Sequence, residues 1–181
     1  MGSLVVKTKY MFTPTPIPGL LIFEPEVFGD ERGYFFESYN EEVFRAAGIT
    51  AKFVQDNQAK SPRGVLRGMH FQRGASAQAK LVRVISGEVY DVAVDLREGS
   101  PTYGQWYGMY LSGENQKQLF IPRGFAHGYL VTSEEALFAY KCDNYYDPSA
   151  EGGLRYDDAE IGIEWPTIEQ PYTIAQRDLE W

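Results

Sequence analysis

The alternation of apolar and polar side chains along the chain predicts a protein built mainly from short β-strands. Residues 89–96 are the clearest case, because Val92 and Val94 fall on one face and Asp91 and Asp95 on the other. Further strands are predicted at 81–85, near 105–111, 118–121, 128–132 and 136–141, and as a pair within 20–39 around the turn at 29–33. Many short strands separated by Gly, Pro and Asn are typical of a sandwich or barrel, so we predict an all-β jelly roll.

A single short helix is predicted at 41–47, in the N-terminal part of the chain. Asn40 can accept hydrogen bonds from the first free N–H groups of this helix, and Gly48 can end it. The Pro-rich residues 13–19 predict an extended N-terminal arm ahead of the helix. The length suits one domain, and no internal repeat divides the sequence, so we expect a single domain over residues 1–181.

Composition and charge point to a folded, acidic protein and exclude some classes of partner. The formal net charge is −8 and the pI is about 4.8, which opposes binding to a nucleic-acid backbone but leaves room for a local basic pocket. Cys142 is the one cysteine, so no disulfide can form within the chain. We see no signal-peptide pattern and no apolar run of about 20 residues, and therefore predict a cytoplasmic protein that does not bind membranes.

The two histidines are the strongest candidates for chemistry, because each stands among glycines that allow a ligand to approach the backbone closely. His70 lies in the segment 63–72 and His127 in the segment 120–128. With an ordinary pKa of about 6.5, histidine can act as a general base at neutral pH when a carboxylate orients its ring. A metal site of two histidines and one carboxylate is an open alternative.

Six motifs carry a resemblance to a known family. In chain order they are DERGYFFE (30–37), FVQDN (53–57), GVLRGMHFQ (64–72), IPRGFAHG (121–128), YKCDNYY (140–146) and IGIEWP (161–166). Together they resemble the dTDP-4-dehydrorhamnose 3,5-epimerase family, over nearly the whole chain from about Thr13 to Trp181. The resemblance implies a cupin-like jelly-roll barrel that epimerises dTDP-4-keto-6-deoxy-D-glucose at C3 and C5 without a metal or another cofactor.

The resemblance also implies the role of each catalytic residue. His70 is expected to remove the proton beside the C4 ketone, with Asp178 as its partner. Lys80 is expected to stabilise the enolate oxygen, and His127 to line the same pocket and help to polarise that oxygen. Tyr140 is expected to return a proton from the opposite face of the sugar ring.

A nucleotide site shared between the two subunits of a homodimer is a further implication of the resemblance. The residues expected from the N-terminal arm of the neighbouring subunit are Arg32, Phe35 and Glu37. The residues expected from the same subunit are Gln55, Asn57, Arg67 and Tyr146. Arginine suits a diphosphate because its planar guanidinium pairs with two oxygens at once.

Three alternatives stay open on the sequence alone. An epimerase of the same fold that inverts only C3 or only C5 of another deoxysugar would keep the same His, Lys and Tyr. A metal-dependent cupin oxygenase would contain stoichiometric iron. A non-catalytic sugar-binding jelly roll would not need His70.

Overall fold

The structure is a computed structural model that describes residues 10–181, so the first nine residues of the predicted single domain lie outside it. Two antiparallel sheets face each other, which confirms the predicted all-β jelly roll. The strands are β1 (Met11–Pro14), β2 (Leu21–Glu24), β3 (Phe28–Asp30), β4 (Gly33–Phe35), β5 (Gln55–Pro62), β6 (Val65–Gln72), β7 (Lys80–Ser86), β8 (Glu88–Asp95), β9 (Trp106–Ser112), β10 (Gln118–Ile121), β11 (Phe125–Val131), β12 (Glu135–Cys142), β13 (Glu151–Gly153) and β14 (Thr173–Ile174). The helices are α1 (Glu41–Ala46) and three 3₁₀ helices at Gly74–Ser76, Pro148–Ala150 and Gln176–Leu179.

The strands are divided between two sheets and one hairpin. Sheet 1 has the order β1-β2-β10-β7-β12-β5, and sheet 2 has the order β13-β6-β11-β8-β9. The short strand β14 joins sheet 2 by running parallel to β6. Among the strands of residues 10–181, β3 and β4 pair only with each other and form a hairpin outside the two sheets.

The main hydrophobic core fills the space between the two sheets. Val82 and Phe138 enter it from sheet 1, and Ala93 and Tyr129 enter it from sheet 2. A second cluster lies beneath α1, where Phe44 packs with side chains of sheet 1. Asn40 caps α1 by accepting hydrogen bonds from two backbone N–H groups, which confirms the predicted helix start.

A third cluster explains why the alternation in β8 does not mark a solvent-facing side. Val92 and Val94 pack beneath the C-terminal segment, against Ile163 and Trp165. Asp91 lies on the other face of β8, and that face is also buried. The predicted period of two is confirmed, but both faces of this strand are covered.

The N-terminal half contains more strands than the sequence pattern predicted. The interval 20–39 holds β2 as well as the β3–β4 hairpin, and the expected extended lead-in at 13–19 begins inside β1. The strands β5 and β6 were not predicted. In β5, the sequence QDNQAKSP alternates in burial, but its inward face carries polar side chains apart from Ala59. The hydrophobic pattern therefore shows no period of two in this strand.

Candidate active site

A cavity of about 450 Å³ opens at one end of the interior between the two sheets. Both sheets and the C-terminal segment contribute to its walls. The predicted site residues that line it are Arg67, His70, Lys80, His127, Tyr140 and Asp178. The structure therefore brings the whole expected catalytic set together, although these residues are far apart in the sequence.

The period of two along each strand explains why two polar side chains of sheet 1 point into the cavity. On β7, Val82 faces the core, so Lys80 two positions earlier faces the same space. On β12, Phe138 faces the core, and Tyr140 two positions later extends that inward row. These inward rows change from apolar to polar side chains where the core gives way to the cavity.

His70 and Asp178 form a hydrogen-bonded pair inside the cavity. His70 lies on β6, and its Nε2 is 2.7 Å from Oδ1 of Asp178. Asp178 comes from the 3₁₀ helix Gln176–Leu179 and is only 2% exposed. Burial lowers the pKa of His70 below its usual 6.5, and the hydrogen bond to Asp178 opposes that shift.

The second histidine has its own carboxylate, which the sequence analysis did not identify as a site residue. His127 pairs with His70 across β11 and β6, and its Nε2 is 2.8 Å from Oδ2 of Asp91. Asp91 is fully buried, and its Oδ1 has no hydrogen-bond partner in the described part of the chain. The sequence did offer a signal for Asp91, because this acidic residue lies on the same face of β8 as Ala93, which faces the core.

Burial also shifts the pKa values of Lys80 and Tyr140, the two polar residues that sheet 1 contributes to the cavity. It lowers the pKa of Lys80 below its usual 10.5, and the negative charge of Asp91 is among the effects that oppose this shift. It raises the pKa of Tyr140 above 10, while a hydrogen bond with Asn57 acts in the opposite direction. The ammonium of Lys80 lies 5.7 Å from the centre of the Tyr140 ring. The amine of Lys80 and the phenol of Tyr140 thus share one wall of the cavity.

The residues expected to bind nucleotide from the same chain lie beside the cavity. Gln55 and Asn57 are on β5, where Gln55 donates a hydrogen bond to Asn57 over 3.2 Å. The backbone N–H of Tyr146 donates to the side chain of Gln55, and its hydroxyl donates to Glu151. Arg67 lines the cavity itself and donates to Ser61 over 3.1 Å.

The three residues expected from a neighbouring subunit do not line the cavity of their own chain. Arg32 lies at the turn of the β3–β4 hairpin, where its side chain is 85% exposed and paired with Asp30. Phe35 is 70% exposed at the end of the same hairpin. Glu37 accepts a hydrogen bond from the hydroxyl of Tyr10.

Two further features of residues 10–181 bear on the classes of function. The described residues contain no group of three or more His, Cys, Asp or Glu that could hold a metal ion. Within the same residues, no helix has both the length and the apolar character needed to cross a membrane.

Comparisons with known proteins agree with this site. The family model for dTDP-4-dehydrorhamnose 3,5-epimerase matches residues 14–181. A protein of that name from Salmonella typhimurium is 60% identical over 163 residues, which cover 90% of this chain and 89% of the relative. A relative of the same name from Methanothermobacter thermautotrophicus is 51% identical over 174 residues, covering 96% and 94% of the two chains.

A solved structure shows the same fold with a sugar nucleotide bound. It is a 3,5-epimerase from Legionella pneumophila in complex with dTDP-4-keto-L-rhamnose, and it is 48% identical in sequence to this chain. It superposes with a TM-score of 0.92 over 95% of this chain and 91% of its own. The matches run across nearly the whole sequence, and the chain belongs to the dTDP-4-dehydrorhamnose 3,5-epimerase family.

Proposed function

We propose that His70, Lys80 and Tyr140 carry out the family's reaction in this chain, the epimerisation of dTDP-4-keto-6-deoxy-D-glucose at C3 and C5. The observation that carries this assignment is the His70–Asp178 pair, which shares one cavity with Lys80 and Tyr140. Carbons beside a ketone can lose a proton because the negative charge that remains moves onto the carbonyl oxygen as an enolate. The reaction therefore needs a base, a cation near that oxygen and an acid.

The base is His70. Its Nε2 faces the carboxylate of Asp178, which only accepts hydrogen bonds when ionised, so this nitrogen carries the proton and the other ring nitrogen is free to accept one. The lowered pKa of His70 keeps the ring neutral and ready at neutral pH. Once the ring is protonated, Asp178 stabilises the imidazolium.

Lys80 stabilises the enolate. An ammonium group that lines a cavity interacts more strongly with developing negative charge than it would in open water, because the surrounding protein reduces the screening by solvent. His127 lies in the same cavity and is held by Asp91, so it can help to polarise the same oxygen.

Tyr140 is the acid that returns the proton. Its raised pKa keeps the hydroxyl protonated at neutral pH, as an acid requires. Tyr140 belongs to sheet 1 and His70 to sheet 2, so the two groups approach a sugar ring in the cavity from different walls. Removal of a proton by one wall and delivery by the other inverts the carbon.

A homodimer that shares hairpin residues between subunits is part of the proposal. It is supported by the exposure of Arg32 and of the aromatic side chains Tyr34 and Phe35, which cover no part of their own core. In this arrangement Arg32 would pair with the diphosphate bound in the partner's cavity. A cytoplasmic location stays a prediction from the sequence.

The decisive experiment follows deuterium from D₂O into dTDP-4-keto-6-deoxyglucose by NMR. Wild-type protein is expected to place deuterium at both C3 and C5, and the His70→Asn variant at neither. Deuterium at one carbon only would replace the proposal with the single-site alternative. If the wild-type protein shows no deuterium exchange and contains stoichiometric iron, the proposal fails and the alternative of a metal-dependent cupin oxygenase takes its place.

Subunit complementation tests the shared site separately. The His70→Asn and Arg32→Ala variants are each expected to be nearly inactive. After subunit exchange, each mixed dimer regains one site with an intact His70 and an intact Arg32. Half of the dimers are then mixed, and each mixed dimer has one complete site of its two. One site in four is therefore complete, so about a quarter of the wild-type activity returns. A mixture that stays inactive after proven exchange would contradict sharing of the site.

A further inference from the structure

Asp178 differs from the other groups of the site because no strand of the two sheets carries it. It lies on the 3₁₀ helix Gln176–Leu179, after β14, whereas His70, Lys80, His127 and Tyr140 all lie on strands. A strand is held by its neighbours, but this helix of four residues needs other contacts to stay in place. The backbone N–H of Gly68 on β6 donates to Oδ2 of Asp178 over 3.4 Å, and the rest of the alignment with His70 depends on what holds the helix.

The first contact that holds this helix comes from Arg155, which lies outside the cavity. Its Nη1 donates a hydrogen bond of 2.5 Å to the backbone carbonyl of Leu179, the residue after Asp178. The other side of the same guanidinium pairs with both carboxylate oxygens of Asp157, at 2.8 and 2.9 Å. Arg155 is thus a fixed donor, and it satisfies a carbonyl at the end of the helix.

The second contact is the packing of Trp181 on Gly153. A Cβ added at Gly153 would lie 2.3–2.5 Å from three atoms of the indole, so the ring rests directly on the glycine backbone. Gly153 pairs with His70 in the register of β13 and β6. The indole also meets the His70 ring edge to face, at 6.4 Å between ring centres. The chain is therefore anchored at two points after Asp178, and the second of them lies beside His70.

We propose that Arg155 is a positioning residue for the reaction, which holds the 3₁₀ helix so that Asp178 stays aligned with His70. The Trp181–Gly153 contact supports the same alignment at a second point on the chain. The inference rests on the roles proposed above for His70 and Asp178. Because Arg155 does not line the cavity, its loss should lower kcat and leave KM nearly unchanged.

The test is a double-mutant cycle between Arg155→Met and Asp178→Asn. Misplacing a catalytic group by about 1 Å can cost on the order of 100-fold in rate, so Arg155→Met should lower kcat by at least tenfold in the wild-type background. In the Asp178→Asn background the same substitution should change kcat by less than about twofold, because the group it positions is already lost. A merely structural role would lower kcat equally in both backgrounds, and that result would overturn the proposal.

Controls separate alignment from folding. Arg45→Met removes an arginine that is paired with Glu41 on the surface of α1, and it should leave kcat unchanged. Asp157→Asn keeps the Arg155 cation but loosens its orientation, and it should give a smaller loss of the same kind. If Arg155→Met unfolds, Asp157→Asn takes its place in the cycle, with additive losses again overturning the proposal.

A spectroscopic readout does not depend on turnover. The Nε2 proton of His70, shared with Asp178, should give a downfield NMR resonance in the wild-type protein and lose it in His70→Asn. Arg155→Met should shift or broaden this resonance, and an unchanged resonance would overturn the proposal. If Asp178→Asn were as active as the wild type, the proposed role of Asp178 would fail instead, whatever Arg155 does to the resonance.

Discussion

Tyr140→Phe should separate proton removal from proton return. The substitution deletes one oxygen and keeps the ring, which packs against Phe138 at 5.9 Å between ring centres. Asn57 keeps its contacts with Gln55 and Cys142, so no buried polar group is left without a partner. Loss of one hydrogen bond of this kind costs about 1 kcal/mol of stability, so the variant should fold.

The expected kinetic effect is much larger than the effect on stability. A positioned general acid contributes roughly 10²–10⁴-fold to the rate, which corresponds to about 2.7–5.4 kcal/mol of activation free energy. Product formation should fall by that factor in Tyr140→Phe. His70 is intact, so deuterium from D₂O should still enter the recovered substrate without inversion.

The assay is therefore NMR of both the product and the recovered substrate, as a function of time. Tyr129→Phe is the matched control, because Tyr129 is a buried tyrosine that lines the same cavity and has no proposed acid role. Product formation by Tyr140→Phe within about threefold of wild type would refute the reasoning. If deuterium exchange into the substrate falls as much as product formation, Tyr140 acts in the removal of the proton and not in its return.

Three further predictions concern charge and metals. Lys80→Met should lower kcat on the order of 10²–10³-fold by removing the cation at the enolate oxygen, measured by steady-state kinetics on protein whose fold is checked by circular dichroism. In the pH profile of kcat/KM, activity should fall on the acid side only below pH 6.5, because His70 must be neutral and burial lowers its pKa. On the alkaline side, activity should begin to fall below pH 10.5, because burial lowers the pKa of Lys80 and the lysine then loses its proton. The negative charge of Asp91 raises that pKa, so Asp91→Asn should move the alkaline fall in activity to lower pH. Exhaustive dialysis against a chelator should leave kcat unchanged, and a loss of activity that iron restores would contradict the metal-free mechanism.

The sequence predicted the fold class well because most strands carry an apolar row. The alternation around Val92 located β8, and the Asn40 cap located α1. The pattern failed in β5, where Ala59 is the one apolar side chain on the inward face. It also did not reveal that the Asp91 face of β8 is covered. The hydrophobic pattern of a strand shows its periodicity. It does not show which of the two faces is buried by a part of the chain that is distant in sequence.

The candidate site followed from the family motifs more than from the pattern. The resemblance linked His70 with Asp178, which lie 108 positions apart, and nothing in local periodicity could pair them. Asp91 was overlooked as a site residue because a lone acidic residue in a strand looks the same whether it faces solvent or a histidine. Arg155 escaped notice for a similar reason, since it acts on a backbone carbonyl and not on a side chain.

The division of the barrel into two sheets has a consequence for how this enzyme can change. The proposed base, His70, lies on one sheet and the proposed acid, Tyr140, on the other, so in this mechanism the sense of inversion is set by the framework that also holds the core. The residues around the mouth of the cavity can vary to admit other sugars or other nucleotides, while any carbon that is inverted is still inverted in the same sense. Reversing the sense of inversion would require exchanging His70 and Tyr140 between opposite walls, a change that single substitutions cannot make. Variation around the mouth of the cavity should therefore diversify substrates much sooner than the sense of inversion at a given carbon.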